Sequence, residues 1–420
     1  MRPNRASLQV KKMTNILFLL ILTLSIPAFA TDQELAFEGA LGFGKYTQGG
    51  KNAEIYRVTS LEDNDEPGTL RYGIKLKQPR QIHFDVSGVI QLNKPLKIKH
   101  GFLSILGQTS PHGIAIVGAP VSIHANQVIM QHLRIRLGTY GYEDDALFAR
   151  YVSDIIIANC SFSWSTDETV SLYGNTRLTL QNSIIANSLN DSIHKKGQHG
   201  YGGIWGGNKA TFINNVIANH KSRTPRINGH RLGVPYPQEQ EYVEVINNVI
   251  FNWGSNSSYG NESGRVSIVG NYYIPGPDSK NKHFFDQSYD KNNPPNQLYV
   301  AANHMHGNTE VSVDNRLAVI VRNKSKSKMK GKMIAEQVFA KQSYQPLTPY
   351  IPAQQALNSL VINKNVGAFL TRNGSFHDSI DTTVLNQIEQ GLNVTAKHSL
   401  LIDHENQNVK DFESYASEFK

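Results

Sequence analysis

Cysteine is almost absent: Cys160 stands alone among 420 residues. No internal disulfide can form, so an exported chain of this kind must be held by its core. Cys160 lies next to a predicted strand, without a thiol-protease context, and reads as a small core residue rather than a nucleophile. Helical periodicity is nearly missing before 379–391, where Ile380, Val384, Leu385 and Ile388 fall at helical spacing. Long apolar runs are missing after residue 22, so no later segment is expected to cross a bilayer. Strong charge is also lacking. The formal net charge is +8, and it falls to +4 if the first 30 residues, with four basic and no acidic side chains, are removed. What remains is too mild to name a partner.

What the chain does have is a recurring unit, a short apolar strand ending in Asn. Ile155-Ile156-Ile157-Ala158-Asn159 is followed by Leu178-Thr179-Leu180-Gln181-Asn182. Further on come Phe212-Ile213-Asn214-Asn215, Val245-Ile246-Asn247-Asn248, Ile268-Val269-Gly270-Asn271 and Tyr299-Val300-Ala301-Ala302-Asn303. Counted on the last Asn of each, the steps are 23, 33, 33, 23 and 32 residues. One coil of a solenoid has this appearance, because each unit buries its apolar side only by stacking on its neighbours. Asn suits the turn: its side chain bonds nearby backbone and tolerates left-handed conformations. Stacked amides can also form a ladder. The expected fold is an all-β solenoid, whose core lengthens rather than thickens and so accommodates some 390 residues.

The ends differ from this body. Arg2, Arg5, Lys11 and Lys12, the apolar run Ile16 to Leu22 and the small-x-small site Ala28-Phe29-Ala30 predict a signal peptide over 1–30. From Arg322 to Lys332, six of eleven residues are Lys or Arg, which reads as a solvated linker or a polybasic substrate patch. The predicted organisation is a signal peptide (1–30), the solenoid (31–321) and a C-terminal extension with a basic linker and a short helix (322–420). The extension is expected to pack along the outside of the solenoid or over its open end, limiting exposed strand edges.

Four clusters carry chemistry. Glu143-Asp144-Asp145 precedes one repeat strand and Trp164-Ser165-Thr166-Asp167-Glu168 follows it. Successive coils can bring such carboxylates together, and an oxygen-only set suits a hard cation such as calcium; two solvated acidic turns are the alternative. The third cluster is His194-Lys195-Lys196-Gly197 with His199 to Gly207. Its glycines permit close approach to a ligand, and its lysines beside aromatic residues suit an anionic polymer. The fourth, Ser222-Arg223-Thr224-Pro225-Arg226, is a stiff cationic turn or a solubilising bend.

In order and spacing these segments resemble the pectate lyases of polysaccharide lyase family one. The likeness covers most of the chain after the predicted signal up to the basic linker, and includes Ala36-Phe37-Glu38-Gly39-Ala40-Leu41-Gly42-Phe43-Gly44, Phe84-Asp85-Val86-Ser87-Gly88, Ile105-Leu106-Gly107-Gln108-Thr109, Ser163 to Glu168, His199 to Gly207 and Ser222 to Arg226. It implies a right-handed parallel β-helix with a calcium-lined groove. It further implies β-elimination of polygalacturonate, an acidic polysaccharide, to 4,5-unsaturated oligogalacturonides. On this likeness Arg223, in Arg-x-Pro, is the base and Lys196 binds a substrate carboxylate. Lys195, His199, Trp205 and Arg226 are expected at the substrate, and Glu143, Asp145 and Asp167 at Ca2+. A guanidinium base needs a cationic neighbourhood, for which Lys196, Arg226 and calcium are candidates, and activity should then favour alkaline pH. Two positions depart from the pattern: Ser171 stands where many members have a fourth acid, and Asn228 where many have a second arginine. Glu168 and Arg226 are the candidate replacements. The expected protein is a secreted or periplasmic monomer with neither nucleic-acid nor, once its signal is cleaved, membrane partners.

Three other readings compete. A glycoside hydrolase on the same fold would need an aspartate set whose Asn-Thr-Asp and Arg-Ile-Lys companions are missing here. A non-catalytic polyuronide-binding β-helix is a second. The third is a lyase acting on methylated pectin or another polyuronide, which the acids at 143, 145 and 167 disfavour because esters remove the charge a cation would bridge.

Overall fold

In the computed structural model, residues 33–323 (without 140, 232, 291 and 293–295), 338–393, 397–403 and 412–420 are described. The expected signal peptide and residues 324–332 of the expected basic linker lie outside them. Within this range the chain winds through three parallel sheets in each coil. Ser153–Ala158 lies in the first sheet and Ser161–Ser163 in the second. Val170–Gln181 then begins in the third, beside Leu147–Arg150, and bends into the first, beside Ser153–Ala158. Ile204–Ile213 bends likewise, so the first and third sheets form one network of 17 strands, while the second has nine. The result is a right-handed parallel β-helix, the hand that parallel crossovers adopt.

Side chains that pair across strands stack down the interior. In the first sheet Ile105, Met130, Ile157, Leu180, Phe212, Val245 and Ile268 are successive register partners and all are buried. Each such side chain contributes about 1.5–3 kcal/mol by leaving water.

The Asn residues divide into two roles that the repeat reading merged. The left-handed turn is held by Asn159, Asn182, Asn214, Asn247, Gly270 and Ala302. The amide ladder is one residue later: Asn215 donates to Asn248 at 3.0 Å, Asn248 to Asn271 at 3.0 Å, Asn271 to Asn303 at 2.9 Å and Asn303 to Asn315 at 3.0 Å. Ser183 and Cys160 occupy the ladder position in the two preceding coils, so Cys160 is a buried rung. A second ladder closes the other end of the second sheet, where Asn252 donates to Asn219 and Asn219 to Asn187.

The Gly-rich entry lies along the outer face of the first sheet. Gly44 N–H donates to Thr179 Oγ1 and Gly50 N–H to Ser104 Oγ. A Cβ at Gly44 would fall 2.4 Å from the Ile155 carbonyl oxygen, which is why the arm needs glycine there.

The C-terminal residues cover the outer face of the second sheet. Helix Ser379–Gly391 carries Val384, Leu385 and Ile388 into a buried cluster with Ala186, Ala218 and Phe251. The outside is therefore what the extension packs on, and Leu35–Lys420 forms one compact unit. Short helix Leu70–Lys75 sends Leu70 and Ile74 into the main core near its first coil. Strand Val319–Asn323 pairs with Phe285–Tyr289, so the coil runs past the boundary expected at residue 321.

Candidate functional site

The turns that lead from the second sheet into the third collect the reactive side chains. Asp144 and Asp145 precede Leu147–Arg150, Asp167 and Glu168 precede Val170–Gln181, and Ser222 and Arg223 precede Arg226–Ile227. Parallel bridges join Glu168 to Tyr201 and Tyr201 to Ser222, so these turns occupy equivalent places in successive coils. The glycines at 202 and 203 serve that stacking rather than a ligand. A Cβ on Gly203 would meet the Val170 carbonyl oxygen at 2.0 Å, and one on Gly202 the Arg223 carbonyl oxygen at 2.4 Å.

Asp145, Asp167 and Glu168 converge, with one oxygen from each inside a 4.8 Å span. Asp145 and Glu168 are buried. Asp145 Oδ1 accepts the Glu168 N–H at 3.2 Å, while Oδ2 has no hydrogen-bond donor among the described residues and lies 3.6 Å from Arg150, with Ser171 also beside the carboxyl. Burial, and then the Asp167 charge, push the Asp145 carboxyl up to about 8. A buried acid with an orphaned oxygen beside two further carboxylates is a site short of positive charge. Glu143, expected in this set, is not in it: its Oε2 lies 3.4 Å from Lys195 Nζ. Glu168 is there instead, beside its neighbour Asp167, because the second turn directs two successive carboxylates to one place. Lys195 is thereby tied to an acid rather than presented alone.

His199 was expected at the substrate. It is buried, its Nε2 is 2.9 Å from Asp167 Oδ1, and its ring stacks on His194 at 3.9 Å and meets Tyr201 edge-on at 4.3 Å. It therefore braces a carboxylate. His194, named in the third cluster but given no role there, has Nε2 3.8 Å from Asp167 Oδ2. Asp167, His194 and His199 could in principle cage a borderline metal. However, His194 Nδ1 accepts the Lys196 N–H at 3.1 Å, which puts the proton of a neutral ring on Nε2, facing Asp167 as a donor. The oxygen cluster is thus the better cation site. Lys196 is exposed on the same loop.

Arg223 has positive φ (60°) and lays its guanidinium on the Glu168 carboxylate and over the Tyr201 ring, 4.1 Å from its centre. Among the described residues its closest side-chain partners are thus an acid and an aromatic face rather than the cations expected of it. Arg226 does not supply them. It is buried, with Nη2 2.8 Å from Glu262 Oε1 and its guanidinium over Tyr259, so it is also withdrawn from substrate. Asn228 is buried too and bonds the Gly229 carbonyl. Trp205 is a further correction. It stacks on Phe212 at 4.2 Å and 3°, donates Nε1–H to the Val170 carbonyl and is 1% exposed, so it fills the core.

No protein-family model matches this chain. Among curated proteins it is 31% identical over 383 residues to the probable pectate lyase C of Aspergillus flavus, spanning 88% of this chain and 80% of that protein. The chain belongs to the pectate lyase family, polysaccharide lyase family one. The probable pectate lyase C of Emericella nidulans agrees, at 31% over 369 residues, 86% of this chain and 77% of that one. As a member this protein is a lyase acting on polysaccharides. Solved structures share its fold. The major allergen from cedar pollen superposes with a TM-score of 0.53 at 19% identity, covering 78% of the lyase and 92% of the allergen. A pectate lyase studied for its anti β-elimination mechanism does so at 0.50 and 14%, covering 80% and 98%. Among the lyase's described residues no helix is long and apolar enough to cross a membrane.

Proposed function

We propose that this lyase cleaves polygalacturonate by β-elimination with calcium bound to Asp145, Asp167 and Glu168 and with Arg223 as base, releasing 4,5-unsaturated oligogalacturonides. The observation that carries it is the contact between the Arg223 guanidinium and Glu168, which puts the base candidate in the same trough as the three carboxylates. The oxygen-only donor set and the orphaned Asp145 Oδ2 fit a hard divalent cation. When bound, such a cation draws negative charge onto the uronate carboxylate and so eases loss of the neighbouring C5 proton. Lys196, exposed on the rim, pairs with a substrate carboxylate. His199 and His194 hold Asp167 in place. Arg223 must part from Glu168, because a carboxylate neighbour favours the guanidinium cation and a base needs the neutral form. It then takes the C5 proton; the electron pair forms the C4–C5 double bond, and the C4–O bond breaks with its electrons on the leaving oxygen, which is protonated by solvent. No water adds across the cleaved bond. The N-terminal pattern supports export of the enzyme to the polymer.

An assay with polygalacturonate and its methylated form, titrated with calcium, tests the reading through the ultraviolet absorbance of the conjugated product. Calcium-dependent absorbance with the unesterified polymer is expected. Cleavage without absorbance would mean hydrolysis, and binding without cleavage a non-catalytic protein.

The same carboxylates predict a pH effect on stability. Asp145 has a folded-state value raised from 3.8 to about 8, so its contribution is complete below 3.8 and is lost as the pH rises towards 8. Calcium cancels that loss by pairing the charged form. The difference in melting temperature between calcium and chelator should therefore widen across this range; a constant difference would mean that Asp145 is not a ligand.

A further inference from the structure

The outer face of the third sheet continues beyond the site towards its first coils, and its character changes from acidic to basic. Lys97, between the core residues Leu96 and Ile98, points outward; its register partners Ser122, Phe148 and Ser171 form one outward row that ends beside Asp145. Lys99, two residues on, projects to the same side as Lys97. Together with Arg71, Lys75, Lys94 and His100 they line a cleft of about 220 Å³. Some of these cations are already matched: Arg71 with buried Asp63 at 2.6 Å, Lys75 with Asp65 at 2.5 Å and Lys94 with Asp65 at 3.9 Å. Lys97 and Lys99 are exposed and have no carboxylate partner among the described residues. His124, edge-on to Phe148 at 5.8 Å, feels both lysines after burial as it is pushed down.

We propose that Lys97 and Lys99 form a distal docking surface for the same polyuronate chain, engaged only by long substrates. The inference rests on the reading given under Proposed function. Register steps place the Lys97 strand five strands from Arg226–Ile227, which follows Arg223. At the ordinary strand spacing that is about 24 Å, so a chain seated at Arg223 reaches the lysines only when it is several sugar units long. Each uronate carries one carboxylate, and two unmatched ammonium groups at the end of the trough complement that charge, with the apolar face of Phe148 between. The acids near Arg223 need a cation to accept a polyanion, whereas this end does not. Affinity here should therefore persist when calcium is removed.

The experiment compares a Lys97→Gln/Lys99→Gln double variant with a Lys45→Gln/Lys209→Gln variant, which removes equal charge from a cleft beside the first sheet. Binding of long polygalacturonate and of trigalacturonate is measured by calorimetry in an Arg223→Ala background, where polymer is not consumed, at low salt and with chelator. The first variant should lose about five- to tenfold in affinity for the polymer, as two surface ion pairs would supply, with trigalacturonate binding unchanged. An equal loss from the Lys45/Lys209 variant would make the effect one of overall charge and overturn the inference. Unchanged polymer affinity, or equal losses on polymer and trimer, would overturn it as well. Turnover by the parent chain tests the lyase reading separately, so failure of one is distinguishable from failure of the other.

Discussion

Arg223→Ala should lower turnover of polygalacturonate by about a hundred- to ten-thousand-fold, the range a positioned acid–base group supplies, while the fold is retained. Its side chain lies at the trough surface, not in the core, and its close partners among the described residues are Glu168 and the Tyr201 ring. A second consequence separates this assignment from simple loss of a surface charge. Glu168 is shared between the guanidinium and the carboxylate cluster. Removing Arg223 leaves Glu168 to the cluster alone, so calcium affinity without substrate should rise, by about fivefold or more if the coupling is of ordinary size. Calorimetry with calcium on the parent, Arg223→Ala and Glu168→Gln proteins measures this. The glutamine variant should bind calcium more weakly than the parent. Near-normal turnover in Arg223→Ala would end the mechanistic proposal; unchanged calcium affinity would end the idea of a shared carboxylate.

The other large effect is on stability, and it lies on the far side of the coil. Arg134 and Arg136, on a strand of the second sheet, are fully buried beneath the C-terminal extension. Asp378 accepts from Arg136 Nη2 at 2.7 Å and from the Tyr415 hydroxyl at 2.7 Å, and it caps helix Ser379–Gly391 through the Asp381 N–H at 2.9 Å. Asp381 takes a further bond from Arg136 at 2.8 Å. Asp378→Ala leaves a buried guanidinium short of its counter-charge and an uncapped helix, and should cost about 3–5 kcal/mol in denaturant unfolding at neutral pH. Burial pushes the Asp378 carboxyl up, but Arg136 and Arg134 outweigh it and hold it at about 2, below the ordinary 3.8. Its contribution is therefore present above 3.8 and is lost as the pH falls towards 2. The parent should lose stability over that interval more steeply than Asp378→Ala. Equal acid slopes, or a loss under 1 kcal/mol at neutral pH, would show that the extension is held by its apolar contacts alone.

This lock was not legible in the amino-acid order. Arg136 and Asp381 are 245 residues apart, the first on a coil strand and the second in the extension outside the repeats. The coil itself was legible, since a parallel stack repeats one chemical requirement at every turn: an apolar strand, a left-handed residue, a polar rung. Even so, counting the last Asn joined Asn159 and Asn182, which hold turns, to Asn215 and Asn248, which hold rungs. Period was visible in the pattern, but phase within the turn was not.

The same limit governs the site. Segment order was enough to bring the acids near 145 and 167 and the arginine at 223 to one line of turns, because stacking superposes equivalent positions of successive coils. Which member of each segment faces the trough was decided by the folded backbone. Glu143 yields to Glu168, Trp205 goes to the core, His199 braces Asp167, and Arg226 is taken by Glu262. Along a strand a shift of one residue sends a side chain to the opposite face, as at Trp205, whereas in the turns even the adjacent Asp167 and Glu168 point to one place. The order of residues thus determined the family, the coil and the line of turns to which the proposed chemistry is assigned, while the three-dimensional packing alone selected the side chains, because neighbours in sequence with similar chemistry are distinguished only by the direction in which the backbone points them.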